Sequence, residues 1–457
     1  MWYDTAIVQN RVLTSDAPKN VGKKVSLYGW VERIRSHGKI AFFDLRDRGG
    51  ILQVVASTPE TVPSVEKLSI QSVVKIEGEI HERGERYVNP NIPLGKVELE
   101  LTSPVEIISK ANEMPFDMGG TELNLQLPTL LDYRALTLRN SKIASIFKVQ
   151  SAVLEGFRLA AKNMNATEIV VPTIAASATE GGAEVFRVDY FDFKAYLTQS
   201  PQLYKQMMVP VFERVYTISH AYRAEPSVTT RHLTENTQMD MEIGFVDFPE
   251  LLDILEKVIT DTLKYAQENC KEEMKEYGVS DIAFGKIPRL KLTEAQEIIF
   301  KEYGRDTRGE KDLGPQDEVD ICAWALKNHV SDLVTITHFP TKKRAFYTMP
   351  DPTNPEESLS YDILFRGVEI SSGSQRIHEY DKLVEAIKSR DMDPENFKLY
   401  LQAFEFGMPP EGGFSFGLER ITMHILNLSN VREASLFPRD MERIDERLST
   451  LNQTNKK

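Results

Sequence analysis

An arginine and a glutamate lie two residues apart at the end of a segment that has the pattern of a β-strand. Strand-like alternation from residue 215 onward puts Arg223 and Glu225 on one face. A guanidinium can neutralise a phosphate where charge builds up, and a carboxylate can accept a hydrogen bond from an amino group. An arginine and a glutamate so placed also form ordinary surface pairs, so this pair does not decide the chemistry by itself.

A second candidate site is the glycine-rich segment 412–421, which contains Arg420. Its glycines would let the backbone approach a nucleotide closely, and the Arg420 guanidinium offers a planar fork for phosphate and a flat face for adenine. A glycine-rich turn alone is weak evidence. The sequence contains no GxGxxG, Walker A or HExxH motif, so the phosphate and zinc chemistries of those motifs have no support.

Two carboxylates, Asp362 and Glu369, lie in the segment 362–376. The two carboxylates suit magnesium, a hard cation that prefers oxygen ligands.

Three segments, taken in chain order, resemble the three signature motifs of the class II aminoacyl-tRNA synthetases. They are a helix at 141–164 followed by 167–172, the segment 212–242, and the segment 412–421. Each motif alone is loose, but three in order at these intervals are specific. The resemblance covers nearly the whole chain and is strongest to the aspartyl branch of the family, especially its archaeal-type members.

The resemblance implies a catalytic set of Arg223, Glu369 and Arg420, and magnesium as the cofactor, surrounded by Asp362, Glu369 and Ser372. ATP is implied as a substrate. Its implied contacts are Arg223, Ala224, Glu225, Arg231, His232, Leu233, Glu369, Gly417, Leu418, Glu419 and Arg420.

The resemblance also implies an amino-acid site that binds L-aspartate. Its implied residues are Glu180, Gln202, Leu203, Tyr204, Lys205, Arg223, Ser372 and Arg376. An aspartate side chain is an anion whose unpaired burial costs several kcal/mol, and Lys205 with Arg376 would supply two cations for it. A lysine taken alone is usually a solvated surface residue. The asparaginyl branch is the nearest alternative, and Lys205 argues against it.

The implied reaction has two steps. The aspartate α-carboxylate attacks the ATP α-phosphate in line to give aspartyl-adenylate and pyrophosphate, and the terminal adenosine hydroxyl of tRNA then attacks the mixed anhydride. The first step depends on positioning and charge neutralisation by Arg223, Arg420 and magnesium. In the family the first motif, here ending at Pro172, builds the interface of a homodimer; a proline that merely closes an edge strand is the alternative.

The elements that position these residues form two predicted domains. Short strands at 25–30, 40–45, 51–55, 72–78 and 95–101 are rich in β-branched and aromatic residues. They predict an oligonucleotide-binding β-barrel over residues 1–108, although another small β-barrel would give the same pattern. Residues 109–140 read as a hinge or linker, and 141–457 as the catalytic domain. The fold class is α+β, with a largely antiparallel sheet flanked by helices.

The resemblance implies that the barrel binds the anticodon through Phe42, Gln53 and Glu98. Stacking on an aromatic ring with recognition of the base edge suits an unpaired loop base. Adjacent strand residues face opposite ways, so either Phe42 or Phe43 belongs to the barrel core.

The net charge of −13 excludes nucleic-acid binding through overall charge, and tRNA would need local basic patches. Residues 1–108 contain 14 basic and 14 acidic residues, whereas the rest contains 41 against 54. Cys270 and Cys322 are too far apart for a CxxC metal pair, and a reduced cytoplasm fits them best. No apolar run is long enough to span a membrane.

Two positions depart from the family pattern. Asn236 stands where many relatives have an aromatic residue for adenine stacking, and the residues near Glu32 match neither tRNA specificity pattern. Charging of tRNA-Asp is expected, and charging of tRNA-Asn as well is left open. A non-catalytic paralogue would be expected to lose Arg223, Glu369 or Arg420, and a tRNA-independent asparagine synthetase would lack the barrel.

Overall fold

The computed structural model of the chain describes residues 11–90, 92–120, 122–176, 184–226 and 229–450. The chain forms two compact units, Met1–Asn124 and Leu125–Lys457. The predicted linker 109–140 is divided between them. Residues 125–140 belong to the second unit because Arg134 is buried there and donates hydrogen bonds to the backbone carbonyls of Glu433, Ser435 and Leu436.

The first unit is built on a closed five-stranded barrel, as predicted. The strands pair in the order β1, β2, β3, β5, β4, and β4 pairs back with β1 to close the barrel. A short sixth strand adds to β4. The strand bounds are β1 Lys24–Ser36, β2 Ala41–Asp47, β3 Gly50–Ala56, β4 Val73–Glu82, β5 Val97–Leu101 and β6 Glu106–Ser109. A helix, α1, spans Val62–Glu66, and 3-10 turns span Thr14–Asn20 and Glu85–Tyr87.

Side chains alternate between the two faces of the barrel wall. In β2, Ala41, Phe43 and Leu45 are buried in the barrel core, whereas Phe42 and Asp44 are less buried and lie on the opposite face. This alternation is the two-residue period of a strand.

The second unit contains an eight-stranded sheet in the order β13, β14, β17, β18, β19, β12, β11, β7. The pairings are antiparallel except at the two edges, where β13–β14 and β11–β7 are parallel. The largely antiparallel sheet of the predicted α+β fold is therefore confirmed. Its strands are β7 Thr167–Glu168, β11 Arg214–Tyr222, β12 Glu235–Gly244, β13 Arg289–Lys291, β14 Leu333–Thr337, β17 Ser360–Phe365, β18 Val368–Gln375 and β19 Glu411–Gly417.

Two smaller sheets also occur among the described residues. They are formed by β8 Ile174–Ala175, β9 Arg187–Tyr190 and β10 Phe193–Leu197, and by β15 Pro350–Asp351 and β16 Asn354–Ser358.

The second unit also contains helices, several of which pack against the large sheet. Their bounds are α2 Leu127–Asp132, α3 Arg134–Thr137, α4 Ser141–Asn163, α5 Gln202–Met207, α6 Val209–Phe212, α7 Phe248–Asn269, α8 Lys271–Glu276, α9 Leu292–Tyr303, α10 Pro315–His329, α11 Tyr380–Lys388, α12 Lys398–Glu405 and α13 Leu418–Ile425. Further 3-10 turns span Thr341–Lys343, Pro394–Phe397 and Val431–Ala434.

The two long helices, α4 and α7, begin at side-chain caps. Asn140 accepts a hydrogen bond from the Ile143 amide at 3.3 Å, and Asp247 accepts one from the Glu250 amide at 2.9 Å. Gly156 lets α4 approach α7 closely, because an added Cβ would lie only 2.9 Å from the Thr262 carbonyl oxygen. Both helices contribute to the main apolar core beside the sheet.

Candidate active site

Two neighbouring cavities lie over the middle of the large sheet, above β12, β18 and β19. We call them the nucleotide cavity, which encloses about 730 Å³, and the amino-acid cavity, which encloses about 920 Å³, both partly open to solvent. Arg223, Gln238, Ser372 and Ser415 line both. The sheet therefore holds one continuous site with Arg223 at the junction.

The nucleotide cavity brings together most of the residues that the sequence implied for ATP. They are Arg223, Glu225, Arg231, His232, Leu233, Glu369, Gly417, Glu419 and Arg420. Arg420 lies in α13, directly after the glycine-rich strand β19, as predicted, and its Nη1 donates to the Glu369 carbonyl at 3.1 Å. Two implied residues do not line the cavity: Ala224 donates its amide to the Glu184 carbonyl, and Leu418 is buried in the main core.

Arg223 and Glu225 do not lie on a strand, contrary to the sequence prediction. Strand β11 ends at Tyr222, and Pro226, which cannot donate to a sheet, follows Glu225. The Arg223 amide still donates to the Thr234 carbonyl at 2.9 Å. Both side chains reach the nucleotide cavity, where Arg223 Nη1 lies 3.9 Å from Glu225 Oε1.

The floor of the nucleotide cavity contains Asn236 and Glu419. Asn236 lines the cavity from β12, so an amide stands at the position of the missing aromatic residue. The two Glu419 carboxylate oxygens accept from the Thr237 amide at 3.1 and 3.0 Å, and burial raises the pKa of Glu419 to about 7.

An acidic residue that no sequence motif indicates lies beside the nucleotide cavity. Glu318 of α10 accepts a hydrogen bond from Arg231 Nη1 at 3.0 Å. Burial raises the pKa of Glu318 to about 7, and Arg231 opposes this shift. No local motif marks Glu318, because it lies 87 residues from its partner.

The three residues implied for magnesium lie on paired strands, Asp362 on β17 and Glu369 and Ser372 on β18. Arg344, also missed from the sequence, donates to Asp362 Oδ2 at 2.7 Å and to the Ser372 hydroxyl at 3.1 Å. Its guanidinium lies 3.9 Å from the centroid of the Phe339 ring. Burial, and then the charge of Asp362, raise the pKa of Glu369 to about 7.

The oxygen donors of this group fit a hard divalent cation. Among the residues that the structure describes, Oδ1 of Asp362 is buried and has no hydrogen-bond partner. Asp362 also raises the pKa of Glu369, so the two carboxylates repel each other. No cluster of three or more His, Cys, Asp or Glu residues suited to a metal occurs in the described part of the chain. Two carboxylates and a hydroxyl match magnesium, which takes few protein ligands and completes its shell with substrate phosphates and water.

The amino-acid cavity contains Lys205 and Arg376, both nearly inaccessible to solvent. Lys205 Nζ lies 2.9 Å from Asp240 Oδ1 and 3.2 Å from Glu242 Oε2. Arg376 Nε donates to Glu242 Oε1 at 2.8 Å, and its Nη2 donates to Gln202 Oε1 at 3.1 Å. The structure thus brings together the two cations and Gln202.

The buried carboxylates that hold these cations were not anticipated. Burial raises the pKa of Asp240, although Lys205 opposes the shift. The pKa of Glu242 is lowered despite its burial, because Arg376 and Lys205 stabilise its charge. Asp240 and Glu242 lie in the segment 238–242 of the second motif, but nothing in the sequence indicates that they face Lys205.

The other residues implied for aspartate do not all lie in the amino-acid cavity. Leu203 packs into an apolar cluster with Val209 and Phe346, and Tyr204 does not line the cavity. Ser372 lines both cavities. Glu180 lies outside the described residues.

On the barrel, the three residues implied for the anticodon lie on neighbouring strands. Gln53 pairs in register with Asp44 and with Glu98, and its Nε2 donates to Glu98 Oε2 at 2.9 Å. Phe42 is half-buried and lies edge-on to His37, with ring centroids 6.2 Å apart. Phe43 is fully buried in the core, so Phe42 is the ring left on the outer face.

Comparison with known proteins agrees with this architecture. Residues 126–441 match the family of class II tRNA synthetases (D, K and N), and residues 25–104 match the OB-fold nucleic acid binding domain. The aspartate–tRNA(Asp/Asn) ligase of Thermus thermophilus is 40% identical over 438 residues, which cover 95% of this chain and 99% of that protein. The aspartate–tRNA(Asp) ligase of Pyrococcus abyssi is 39% identical over 432 residues, which cover 93% and 96%.

Solved structures of tRNA synthetases have the same fold as this chain. The chain is similar to the asparaginyl-tRNA synthetase of Pyrococcus horikoshii complexed with asparaginyl-adenylate, with a TM-score of 0.87, 30% identity and coverage of 95% of this chain and 99% of that one. It is equally similar in fold to a putative aspartyl-tRNA synthetase from Leishmania major, with a TM-score of 0.87, 28% identity and coverage of 97% and 96%. By its matched catalytic domain, its barrel and its relatives, the chain belongs to the class II tRNA synthetases of the D, K and N group.

Proposed function

We propose that this enzyme is an aspartate–tRNA ligase, which activates L-aspartate with ATP and transfers it to the 3′ end of tRNA-Asp in the cytoplasm. The relatives named above carry this activity in their names, one for tRNA-Asp alone and one for both tRNA-Asp and tRNA-Asn. Charging of tRNA-Asn therefore stays an open part of the proposal.

The observation that supports aspartate most directly is the charge of the amino-acid cavity. Among the described residues that line it are five cationic side chains and one carboxylate, Asp240; the cations are Lys205, Arg223, Lys343, Arg344 and Arg376. A cavity of this charge favours a ligand with two carboxylates over one with a single carboxylate and an amide. The attraction between the cations and a second carboxylate is strong here because charge–charge interactions are screened less where solvent is excluded.

Arg223 is the proposed link between substrate binding and chemistry. It lines both cavities, so its guanidinium can meet the α-phosphate and the attacking α-carboxylate together. Arg420 is the second proposed phosphate-binding arginine, and Glu369 is a proposed magnesium ligand. Charge neutralisation in a preorganised site lowers the barrier without a covalent enzyme intermediate.

Magnesium is the proposed cofactor, held by Asp362, Glu369 and Ser372. The bound ion would supply charge neutralisation for the phosphates of ATP. Arg344 donates hydrogen bonds to Asp362 and Ser372, so it orients two of the three proposed magnesium ligands.

The barrel is the proposed anticodon-binding domain, over residues 1–108, and the proposed connection 109–140 includes residues 125–140, which belong to the second unit. Phe42 is proposed to stack on an anticodon base, and Gln53 with Glu98 to read its edge. Their support is that the three residues lie on one face of neighbouring strands.

A homodimer is proposed from the first motif. Helix α4 leads to β7, an edge strand of the large sheet, and the following Val170 is 98% exposed. An apolar side chain this exposed beside an edge strand would be buried if a second copy of the chain packed there.

Asparagine is the second candidate substrate, and one observation favours it. Lys205 and Arg376 already contact Asp240 and Glu242, so their charges are partly balanced before any ligand binds. Arg344 is likewise paired, with Asp362, so the lining cations that leave the cavity positive are Arg223 and Lys343, and aspartate remains the first choice.

ATP–pyrophosphate exchange separates the two candidates. With purified enzyme, magnesium and ATP, we expect exchange that depends on aspartate and not on asparagine at equal concentration. Exchange with asparagine alone would replace the proposal with the second candidate, and exchange with neither would refute both.

A further inference from the structure

We infer that Glu411 holds a proton at the back of the amino-acid cavity and donates it to Glu242, and that this carboxyl pair fixes Arg376 in position. Glu411 is then a positioning residue for aspartate specificity. The inference rests on the proposed activation of aspartate and adds to it a residue that does not line the cavity.

Glu411 lies at the start of β19 and is completely buried. Its Oε1 accepts a hydrogen bond from Gln206 Nε2 at 2.7 Å. The orientation of the Gln206 amide is fixed from the other side, because the Tyr400 hydroxyl donates to Gln206 Oε1 at 3.1 Å. Oε1 of Glu411 is therefore an acceptor, and we place the proton on the buried, unpartnered Oε2.

Oε2 of Glu411 faces no hydrogen-bond donor among the described residues, although it is buried. The Glu242 carboxylate lies within hydrogen-bonding contact of the Glu411 carboxyl. A proton on Oε2 that is donated to Glu242 gives each oxygen of Glu411 a hydrogen-bond partner. If both carboxyl groups were ionised instead, two buried negative charges would repel each other.

The charges around Glu411 favour the neutral form. It faces Glu242 from β12, Arg376 after β18, Gln206 from α5 and Tyr400 from α12. The two nearby cations, Arg376 and Lys205, already contact Glu242 and Asp240, so neither is left to neutralise Glu411. Burial raises the pKa of Glu411 well above its usual range, in agreement with the geometry.

The pair acts on the cavity through Glu242. Oε1 of Glu242 accepts from Arg376 Nε at 2.8 Å, and Arg376 Nη2 also donates to the Gly413 carbonyl at 3.0 Å. Gly413 leaves room for this arrangement, because an added methyl group would overlap the Glu242 carboxylate. A proton donated from Glu411 holds Glu242 against Arg376, and Arg376 reaches the cavity from there.

Two substitutions of similar size separate a proton donor from a space-filling residue. Glu411→Gln keeps an acceptor for Gln206 and a donor for Glu242, and Glu411→Leu removes both. In ATP–pyrophosphate exchange we expect Glu411→Leu to raise the aspartate KM by about tenfold or more, the factor that one lost hydrogen bond to a charged group gives. The ATP KM should stay near that of wild type, and Glu411→Gln should restore the aspartate KM. Glu405→Leu, an exposed carboxylate at the end of α12, is the matched control.

Infrared difference spectra of wild type against Glu411→Gln test the proton directly. We expect wild type at neutral pH to show a protonated-carboxyl C=O band that the variant lacks, and the absence of this band would overturn the inference. An unchanged aspartate KM in Glu411→Leu, a parallel rise of both KM values, or a Glu411→Gln enzyme as impaired as Glu411→Leu would each overturn it too. If Glu411→Leu does not fold, Glu411→Gln and the infrared band decide. Wild-type enzyme without aspartate-dependent exchange would instead refute the proposed function, and the infrared result would stand apart from it.

Discussion

The ammonium group of Lys205 lies 2.9 Å from the carboxylate of Asp240, and both side chains are almost completely buried. A buried ion pair is costly to break, because removal of one partner leaves the other charged and unpaired. Lys205 is therefore built into the wall of the amino-acid cavity before any substrate binds. Its replacement should affect both substrate binding and folding stability, and the two effects can be separated.

We predict that Lys205→Met impairs aspartate binding far more than ATP binding. Loss of one buried cation should cost about 2–4 kcal/mol of aspartate affinity. The aspartate and ATP KM values in pyrophosphate exchange measure this difference. A near-normal aspartate KM would refute the role of Lys205 and favour asparagine.

The stability effect of the same substitution has its own controls. Lys205→Met with Asp240→Asn removes the unpaired carboxylate and should recover much of the lost stability while aspartate binding stays impaired. Lys343→Met removes an exposed lysine from the same cavity and should change the melting temperature little.

Glu419 should make folding stability depend on pH. Burial raises its pKa to about 7 from the usual 4.5, so the folded chain keeps a proton that the unfolded chain releases between these pH values. The stability contribution of Glu419 is therefore fully present below pH 4.5 and is lost as the pH rises through 7, by about 3 kcal/mol at most.

The Glu419→Gln variant has an amide that does not titrate at this position, so its folding stability should depend less on pH. Relative to wild type, the variant should gain stability as the pH rises from about 5 to about 8. Thermal unfolding of both proteins at the two pH values gives the comparison. A wild-type-to-variant difference that does not change with pH would show that Glu419 is ionised throughout.

Much of the fold could be predicted from the sequence because its signals are local. The alternation in the barrel strands and the helical spacing at 141–164 correspond to real elements, and the helix spans Ser141–Asn163. The glycine-rich segment forms strand β19 and leads into α13, as predicted. In each case neighbouring residues carry the whole signal.

The rest of the site depends on tertiary contacts that no local pattern records. Asp240 and Lys205 are 35 residues apart, and Arg376 meets Glu242 across 134 residues. Arg344 lies in a segment without any recognised motif. The strand prediction for Arg223 failed because alternation continued past Tyr222, where pairing between β11 and β12 ends.

Phe42 should contribute only to the tRNA-dependent step. If it stacks on an anticodon base, Phe42→Ala should lose about 1–3 kcal/mol in tRNA recognition. Aminoacylation should fall while aspartate-dependent pyrophosphate exchange stays close to wild type.

Phe43→Ala is the matched control for this prediction, because Phe43 is fully buried in the barrel core. It should lower the melting temperature of the barrel, since truncation of a core phenylalanine costs about 3–5 kcal/mol. Equal loss of both activities in Phe42→Ala, with a lower melting temperature, would assign Phe42 to the core instead.

The enzyme should be a homodimer in solution. Light scattering at micromolar concentration should give about twice the chain mass of 52.0 kDa. Val170→Asp should weaken the dimer, whereas Leu326→Asp, at a half-exposed apolar position on α10, should leave the mass unchanged. The mass of a single chain for wild type would contradict the proposed role of the first motif.

Aminoacylation of purified tRNA-Asp and tRNA-Asn with labelled amino acid tests whether this enzyme is an aspartate–tRNA ligase. We expect labelled aspartate to be attached to tRNA-Asp in a reaction that needs ATP and magnesium, and labelled asparagine to be attached to neither tRNA. Transfer of aspartate to tRNA-Asn as well would extend the specificity without changing the mechanism. Attachment of asparagine, or of no amino acid, would contradict the proposed aspartate–tRNA ligase activity.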